Sequence, residues 1–192
     1  MRNIVADQLE RTIAVLSAVA EDSELQDALI DAAEKTSQAL RGGHKLMVAG
    51  NGGSAADAQH IVAEFVSRLV KDRPALRAVA LTTDSSILTA VGNDYGYECV
   101  FARQIEALGQ PGDVLLAIST SGNSPNIVRA LELAHSSGIL TVGLTGASGG
   151  RMKNLCDICV CIPSAVTMNI QEAHLALEHT FCLLVEQIYF SE

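Results

Sequence analysis

The sequence predicts an α/β protein: a doubly wound three-layer αβα sandwich on a five-stranded parallel sheet, with helices added at the N-terminus. Three observations predict it. Five short apolar runs (KLMVAG, AVALTT, DVLLAIST, LTVGLTG and ICVCIP) are separated by stretches with helical periodicity. Parallel strands need crossovers and are buried on both faces, so they read as near-continuous apolar runs alternating with helices. The 192 residues are 48% hydrophobic and 18% charged, which is enough to bury a core and excludes a long disordered chain. Right-handed crossovers then put helices on both faces of the sheet.

The elements follow in order. Residues 3–20 and 23–41 read as helices. Val5, Leu9, Ile13, Leu16 and Ala20 form one apolar stripe on the first, suited to an oligomer interface or to plain packing. Gly42 and Gly43 stop the second. KLMVAG is the first strand, followed by a glycine loop and a helical stretch over 54–70. AVALTT is the second strand, followed by helical material through 109, with Gly92–Gly96 read as a turn. DVLLAIST is the third, followed by a loop and a helix over 124–137. LTVGLTG is the fourth, followed by a short helix over 148–154. ICVCIP is the fifth, and a long helix over 169–190 closes the chain. This divides the chain into a helical segment, 1–41, suited to oligomer packing, and an α/β domain, 42–192.

Charge and cysteine content narrow the function. Thirteen Lys and Arg against 22 Asp and Glu give a net charge of −9, the wrong balance for neutralising nucleic-acid phosphates. Small anions remain possible ligands, because amides and hydroxyls bind them without net positive charge. No apolar run approaches the roughly 18–20 residues that span a bilayer, and MRNIVADQLERT lacks the features of a signal peptide. With five cysteines and no export signal, the expectation is reduced thiols and a cytoplasmic protein. Cys156, Cys159 and Cys161 could form a metal cluster, but CDICVCI reads as a buried strand with small apolar thiols.

In doubly wound folds, ligands bind beyond the carboxyl ends of the strands near a switch point, so the loops after strands one and three draw the eye. The first is Gly50-Asn51-Gly52-Gly53-Ser54, with Ser54 as the expected helix cap. It is neither a dinucleotide fingerprint nor a P-loop, and a tight turn and a ligand loop both fit. The second, Ser119-Thr120-Ser121-Gly122-Asn123-Ser124-Pro125, sets four hydroxyls before a helix start, with Ser124 at the cap and Pro125 first in the helix. Hydroxyls and free helix amides together suit a phosphate.

Groups able to do chemistry lie on two helices. His60 and Glu64 are four apart and share a face, which suits a metal pair, an oriented base or a solvated pair. The closing helix carries Gln171, Glu172, His174, Glu178 and His179, and spacing alone does not say which histidine faces a site. Gln171 and His179 are about 12 Å apart along a helix axis. No H-E-x-x-H motif and no G-x-S-x-G elbow is present. Asn93 and Asp94 suit a turn and could also bind sugar hydroxyls.

AGNGGSAADAQHIVAEFVSR, DRPALRAVALTTD, LTAVGNDYGYECVFARQ, GDVLLAISTSGNSPNI, GLTGASGG and IQEAHLALEHTFC follow one another over residues 45–186. In these stretches the chain resembles the sugar isomerase (SIS) domain family, and within it the phosphoheptose isomerases. The resemblance implies that 42–192 is the SIS domain. It implies conversion of sedoheptulose 7-phosphate to D-glycero-D-manno-heptose 7-phosphate, toward nucleotide-activated heptose for lipopolysaccharide or capsule. It implies that Ser119, Thr120, Ser121 and Ser124 hold the phosphate. Asn51, Gly52, Gly53, Ser54, Glu64, Asn93, Asp94 and Gln171 would line the sugar site. Glu64 would be the base and His179 its acid/base partner. One zinc ion per subunit would fall on His60, Glu64, Gln171 and His179. A homotetramer with active sites shared between subunits is implied, with no nucleic-acid or membrane partner. Asn169 departs from the basic residue that relatives carry before IQE. Rival readings are a non-catalytic relative that binds a replication initiator, a sugar-phosphate-sensing module, and an isomerase of another ketose phosphate.

Overall fold

The computed structural model describes residues 1–191. The predicted sheet is there: β1 (Leu46–Gly50), β2 (Ala78–Ala80), β3 (Val114–Ser119), β4 (Leu140–Gly146) and β5 (Ile158–Ile162). All pairings are parallel, in the order β2-β1-β3-β4-β5. The helices are α1 (Arg2–Glu21), α2 (Ser23–Arg41), α3 (Gly53–Val66), α4 (Ser85–Tyr95), α5 (Ala102–Leu108), α6 (Pro125–Ser136) and α7 (Thr167–Tyr189).

Alternation along the strands builds two cores. Leu46, Val48, Val114, Leu116 and Ile118 face α2, α3 and α7, which contribute Leu29, Ile61, Phe65, Leu177 and Phe181. Met47, Ala49, Leu115 and Ala117 face α5 and α6, which contribute Ile105, Ile127, Leu131 and Ala134. The two sets are the two faces of one pleated sheet. Helix α2 is therefore one of the layers covering the sheet. Helix α1 buries only Val19, and Ile4, Val5, Leu9 and Ile13 stay 58–67% exposed.

Several sequence-based boundaries change. Gly92 to Tyr95 are the last turn of α4, and the chain turns at Gly96, where φ is +90°. Asp84 caps α4 by accepting from the Ile87 amide at 2.9 Å, and Leu88 and Val91 pack on the second core, so the helix continues through the Asn-Asp pair. Helix α3 stops at Val66 rather than 70. Its cap is Gly52, and Ser54 lies buried inside the first turn instead of capping it. The stretch 148–154 yields only a 3-10 turn at Met152–Asn154. Strand β5 is half-buried rather than fully buried: Cys159 and Cys161 face the side covered by that short turn instead of a helix. All five cysteines are free.

Strand β1 is followed by β2 on one side, while the next crossover returns to the other side as β3. The switch point lies between β1 and β3, where Gly50 pairs with Ile118. The loops 51–53 and 119–124 thus leave the sheet side by side.

Candidate functional site

Ser124 occupies the cap position of α6 with Pro125 next, as the sequence predicts, but its hydroxyl does not bond the helix amides. It turns to Ser119 Oγ, 3.0 Å away, and Ser121 Oγ lies 3.5 Å from Ser119 on the other side. Three hydroxyls thus cluster beside a helix start, a donor set suited to phosphate oxygens. Gly122 shapes the loop with φ +65°. Thr120 and Ser121 also line a cavity of about 300 Å³, with Asn123, Ser148, Ser164 and Thr167 along its wall.

The two loops are pinned together by a reciprocal amide pair. Asn51 Nδ2 donates to Asn126 Oδ1 at 2.9 Å, and Asn126 Nδ2 donates to Asn51 Oδ1 at 2.8 Å. Tyr97 adds a third bond, its hydroxyl donating to Asn51 Oδ1 at 3.3 Å. Sequence reasoning missed Asn126 and Tyr97, which are ordinary residues until the fold brings them to the glycine loop. Gly53 answers to a different constraint. A Cβ there would sit 2.4 Å from Gln171 Nε2, so glycine lets α7 lay its Gln171 amide on the loop. Asn93 and Asp94 end α4, with Asn93 Nδ2 donating to Asp94 Oδ1 at 2.7 Å.

Helices α3 and α7 bring His60, Glu64 and His179 together. His60 Nε2 lies 3.3 Å from Glu64 Oε1 and 3.0 Å from His179 Nε2, and all three groups offer donor atoms within 4.8 Å of one another. Two imidazoles and a carboxylate are a donor set that zinc favours. Tetrahedral bonds of about 2.0–2.1 Å would set neighbouring donors about 3.3 Å apart, and the separations of His60 from Glu64 and from His179 suit such an ion. The three Cys residues near β5 form no such group among the described residues.

His174 and Glu178 do something else. His174 is fully buried, with Nε2 3.3 Å from the Thr145 carbonyl, and burial pushes its imidazole down to about 4. Glu178 is buried among Leu29, Leu116, Val142, Leu144 and Phe181 with no hydrogen-bond partner for either oxygen. Burial, and then the charge of Asp57 on α3, push its carboxyl up to about 8. With the folded pKa raised above 4.5, stability is full below about pH 4.5 and is lost as pH rises toward 8. Glu178→Gln keeps the shape and cannot ionise. In chelator-treated protein it is expected to gain a few kcal/mol at pH 8 and little at pH 5. A gain that does not change with pH, read from denaturant melts, would contradict this.

Asn169 is buried, its Nδ2 donating to Thr12 Oγ1 and Glu172 Oε2, each at 3.1 Å. It ties α1 to the start of α7. No helix among the described residues is long and apolar enough to cross a membrane.

Comparison with known proteins agrees with this architecture. Residues 9–146 match the SIS domain family. The chain is 51% identical over 190 residues to a phosphoheptose isomerase of Aneurinibacillus thermoaerophilus, covering 99% of this chain and 96% of that one. It is 50% identical to one from Pelobacter propionicus, with full coverage of both. Among solved structures, the phosphoheptose isomerase of Neisseria gonorrhoeae superposes with a TM-score of 0.91 at 40% identity, covering 97% and 98% of the two chains. That of Francisella tularensis gives 0.92 at 38% identity, with 96% and 97% covered. Identity of about 50% along nearly the whole chain to proteins named as isomerases makes this one an enzyme too, and the chain belongs to the phosphoheptose isomerase family of SIS-domain sugar phosphate isomerases.

Proposed function

We propose that the protein converts sedoheptulose 7-phosphate to D-glycero-D-manno-heptose 7-phosphate through an enediol. The observation that carries the reading is the convergence of His60 and Glu64 on α3, the helix that leads out of the first switch-point loop, with His179 on α7. Ser119, Thr120, Ser121 and Ser124 hold the phosphate. Asn51, Gly52, Gly53, Ser54, Asn93, Asp94 and Gln171 line the sugar site.

Glu64 removes a proton from C1, exchanges it with solvent at the enediol stage, and delivers a proton to C2. His179 donates a proton to the C2 oxygen as the enediol forms and takes the proton of the C1 hydroxyl as the aldehyde forms, which restores it for the next turnover. The contact from Glu64 to His60 uses Oε1, which leaves Oε2 for the substrate. The His60, Glu64 and His179 groups, with Gln171, would hold one zinc ion, which when bound would polarise a sugar oxygen. The exposed apolar stripe on α1 supports a homotetramer with sites shared between subunits, in which the 1–41 segment serves the packing of subunits through α1 while α2 covers the sheet. A cytoplasmic place and a role in heptose for lipopolysaccharide or capsule follow from the same reading.

The test is proton NMR of sedoheptulose 7-phosphate with the protein in D₂O. Aldose carrying deuterium at C2 is the expected product, and its absence with folded protein would remove this substrate. Ser121→Ala is expected to raise KM about tenfold and change kcat little, because one hydroxyl bond to a charged group is worth about 1.5 kcal/mol. An unchanged KM would take Ser121 out of the phosphate site.

A further inference from the structure

We propose that Arg73 and Glu186 form a positioning clamp that sets the spacing between Glu64 on α3 and His179 on α7. The proposal rests on the reading of those two residues as site groups. Helix α3 has no basic residue in its last turn, and the final carbonyls of a helix need partners from elsewhere. Arg73, seven residues past the helix end, supplies them. Its Nη2 donates to the Glu64 carbonyl at 2.7 Å and its Nη1 to the Phe65 carbonyl at 2.7 Å. The guanidinium therefore grips the backbone of Glu64 itself. Its positive charge also lies at the negative end of the helix.

The other side of the guanidinium reaches α7. Nε donates to Glu186 Oε2 at 2.9 Å, and the two side chains are 5% and 1% exposed. Glu186 lies seven residues, two helical turns, beyond His179 on the same helix. Its carboxylate also accepts from the amides of Lys71 at 3.0 Å and of Leu69 and Val70 at 3.4 Å. Arg73 Nη1 bonds the Pro74 carbonyl at 3.1 Å, and the guanidinium lies 5.7 Å from the centre of the Phe190 ring. Four of its five N–H donors are thus held by α3, α7 or the segment between them. Along the same seam Phe65 stacks on Phe181, with ring centres 6.0 Å apart. One planar fork spans both helices that carry the donor trio. An ammonium is a single point and cannot reach the Glu64 and Phe65 carbonyls and Glu186 together.

The experiment compares full-length, chelator-stripped wild type with Arg73→Lys and Glu186→Gln. Two readouts are taken: zinc affinity by calorimetry, and the nuclear Overhauser contact between the His60 and His179 rings. The ring resonances of His44 and His135 report that each variant is folded. Arg73→Lys keeps the charge and is expected to weaken zinc binding at least tenfold and to lose the ring contact. Glu186→Gln is expected to lose the ring contact while its α3 cap remains. Wild-type affinity together with an intact ring contact in Arg73→Lys overturns the clamp. If wild type takes up no zinc, the metal assignment fails, and the ring contact in the two variants still decides the clamp. If both variants fail to fold, Arg73 and Glu186 are structural glue and the positioning role is overturned.

Discussion

Glu64→Gln is expected to lower kcat at least ~10³-fold and to leave the fold intact. A positioned base contributes about 10²–10⁴ in rate, and the amide of glutamine cannot accept the C1 proton. The substitution keeps the length and shape of the side chain, and glutamine still offers an oxygen toward His60 Nε2, now 3.3 Å from Glu64 Oε1. The side chain is 22% exposed, so no buried charge is left unpaired by the change. Stability should shift by no more than about 0.5 kcal/mol. Phosphate binding, which depends on the hydroxyl loop after β3, should persist. The measurement is turnover and C2 deuteration by NMR, with a thermal melt beside it. Retention of more than a few per cent of activity would assign the proton transfer to another group.

Gly122→Ala is expected to be the most damaging change in the phosphate loop. Two constraints act on this residue together. Its φ is +65°, which a Cβ makes unfavourable, and a Cβ there would lie 2.1 Å from the Gly149 carbonyl oxygen. That oxygen is backbone, and its loop is tied back to this one. The Met152 amide donates to the Gly122 carbonyl at 3.1 Å, and the Arg151 amide to Asn123 Oδ1 at 3.1 Å. The two loops would have to part, with Ser121 moved away from Ser119 and Ser124. A loss of about 2–4 kcal/mol and a KM raised well beyond that of Ser121→Ala are expected. Gly52→Ala is the control. Gly52 also has a positive φ, +58°, with ψ −119°, but a Cβ there would meet nothing within 4 Å, so its cost is backbone strain alone, about 1–3 kcal/mol. Equal falls in melting temperature for the two would show that strain alone, and not close approach, explains Gly122.

What the sequence made legible, and what it hid, follows from the kind of information each pattern carries. Apolar periodicity records burial, so the five strands and the long helices were readable, along with the two loops at the switch point. The hydroxyl-rich loop was readable because its composition and its helix start are both local. The convergence of His60 and Glu64 with His179 needed the packing of α3 on α7, since the three span 119 residues. Asn126, Tyr97 and Arg73 carry no local mark, because their partners are 46 or more residues away or belong to a helix end that sequence cannot locate. Gly92-Asn93-Asp94 misled because turn-favouring residues were weighed without the tertiary contacts that carry α4 through them. Spacing alone could not say which histidine of the closing helix faces a site, and packing decides it: α2 and the sheet cover the side of α7 that carries His174 and Glu178.

The Asn51–Asn126 pairing also bears on how the protein ages. Asn51-Gly52 is the dipeptide most open to spontaneous deamidation, because glycine lets the following backbone nitrogen swing onto the asparagine side-chain carbonyl and close a succinimide. Here that carbonyl oxygen accepts from Asn126 and Tyr97, the side-chain nitrogen donates to Asn126, and Gly52 is held at its own positive φ. Neither partner in the ring closure is free to turn. Chemical lifetime at this bond is therefore governed by how often the switch-point loops open. A folded sample keeps Asn51 as asparagine far longer than the same dipeptide in an unfolded chain.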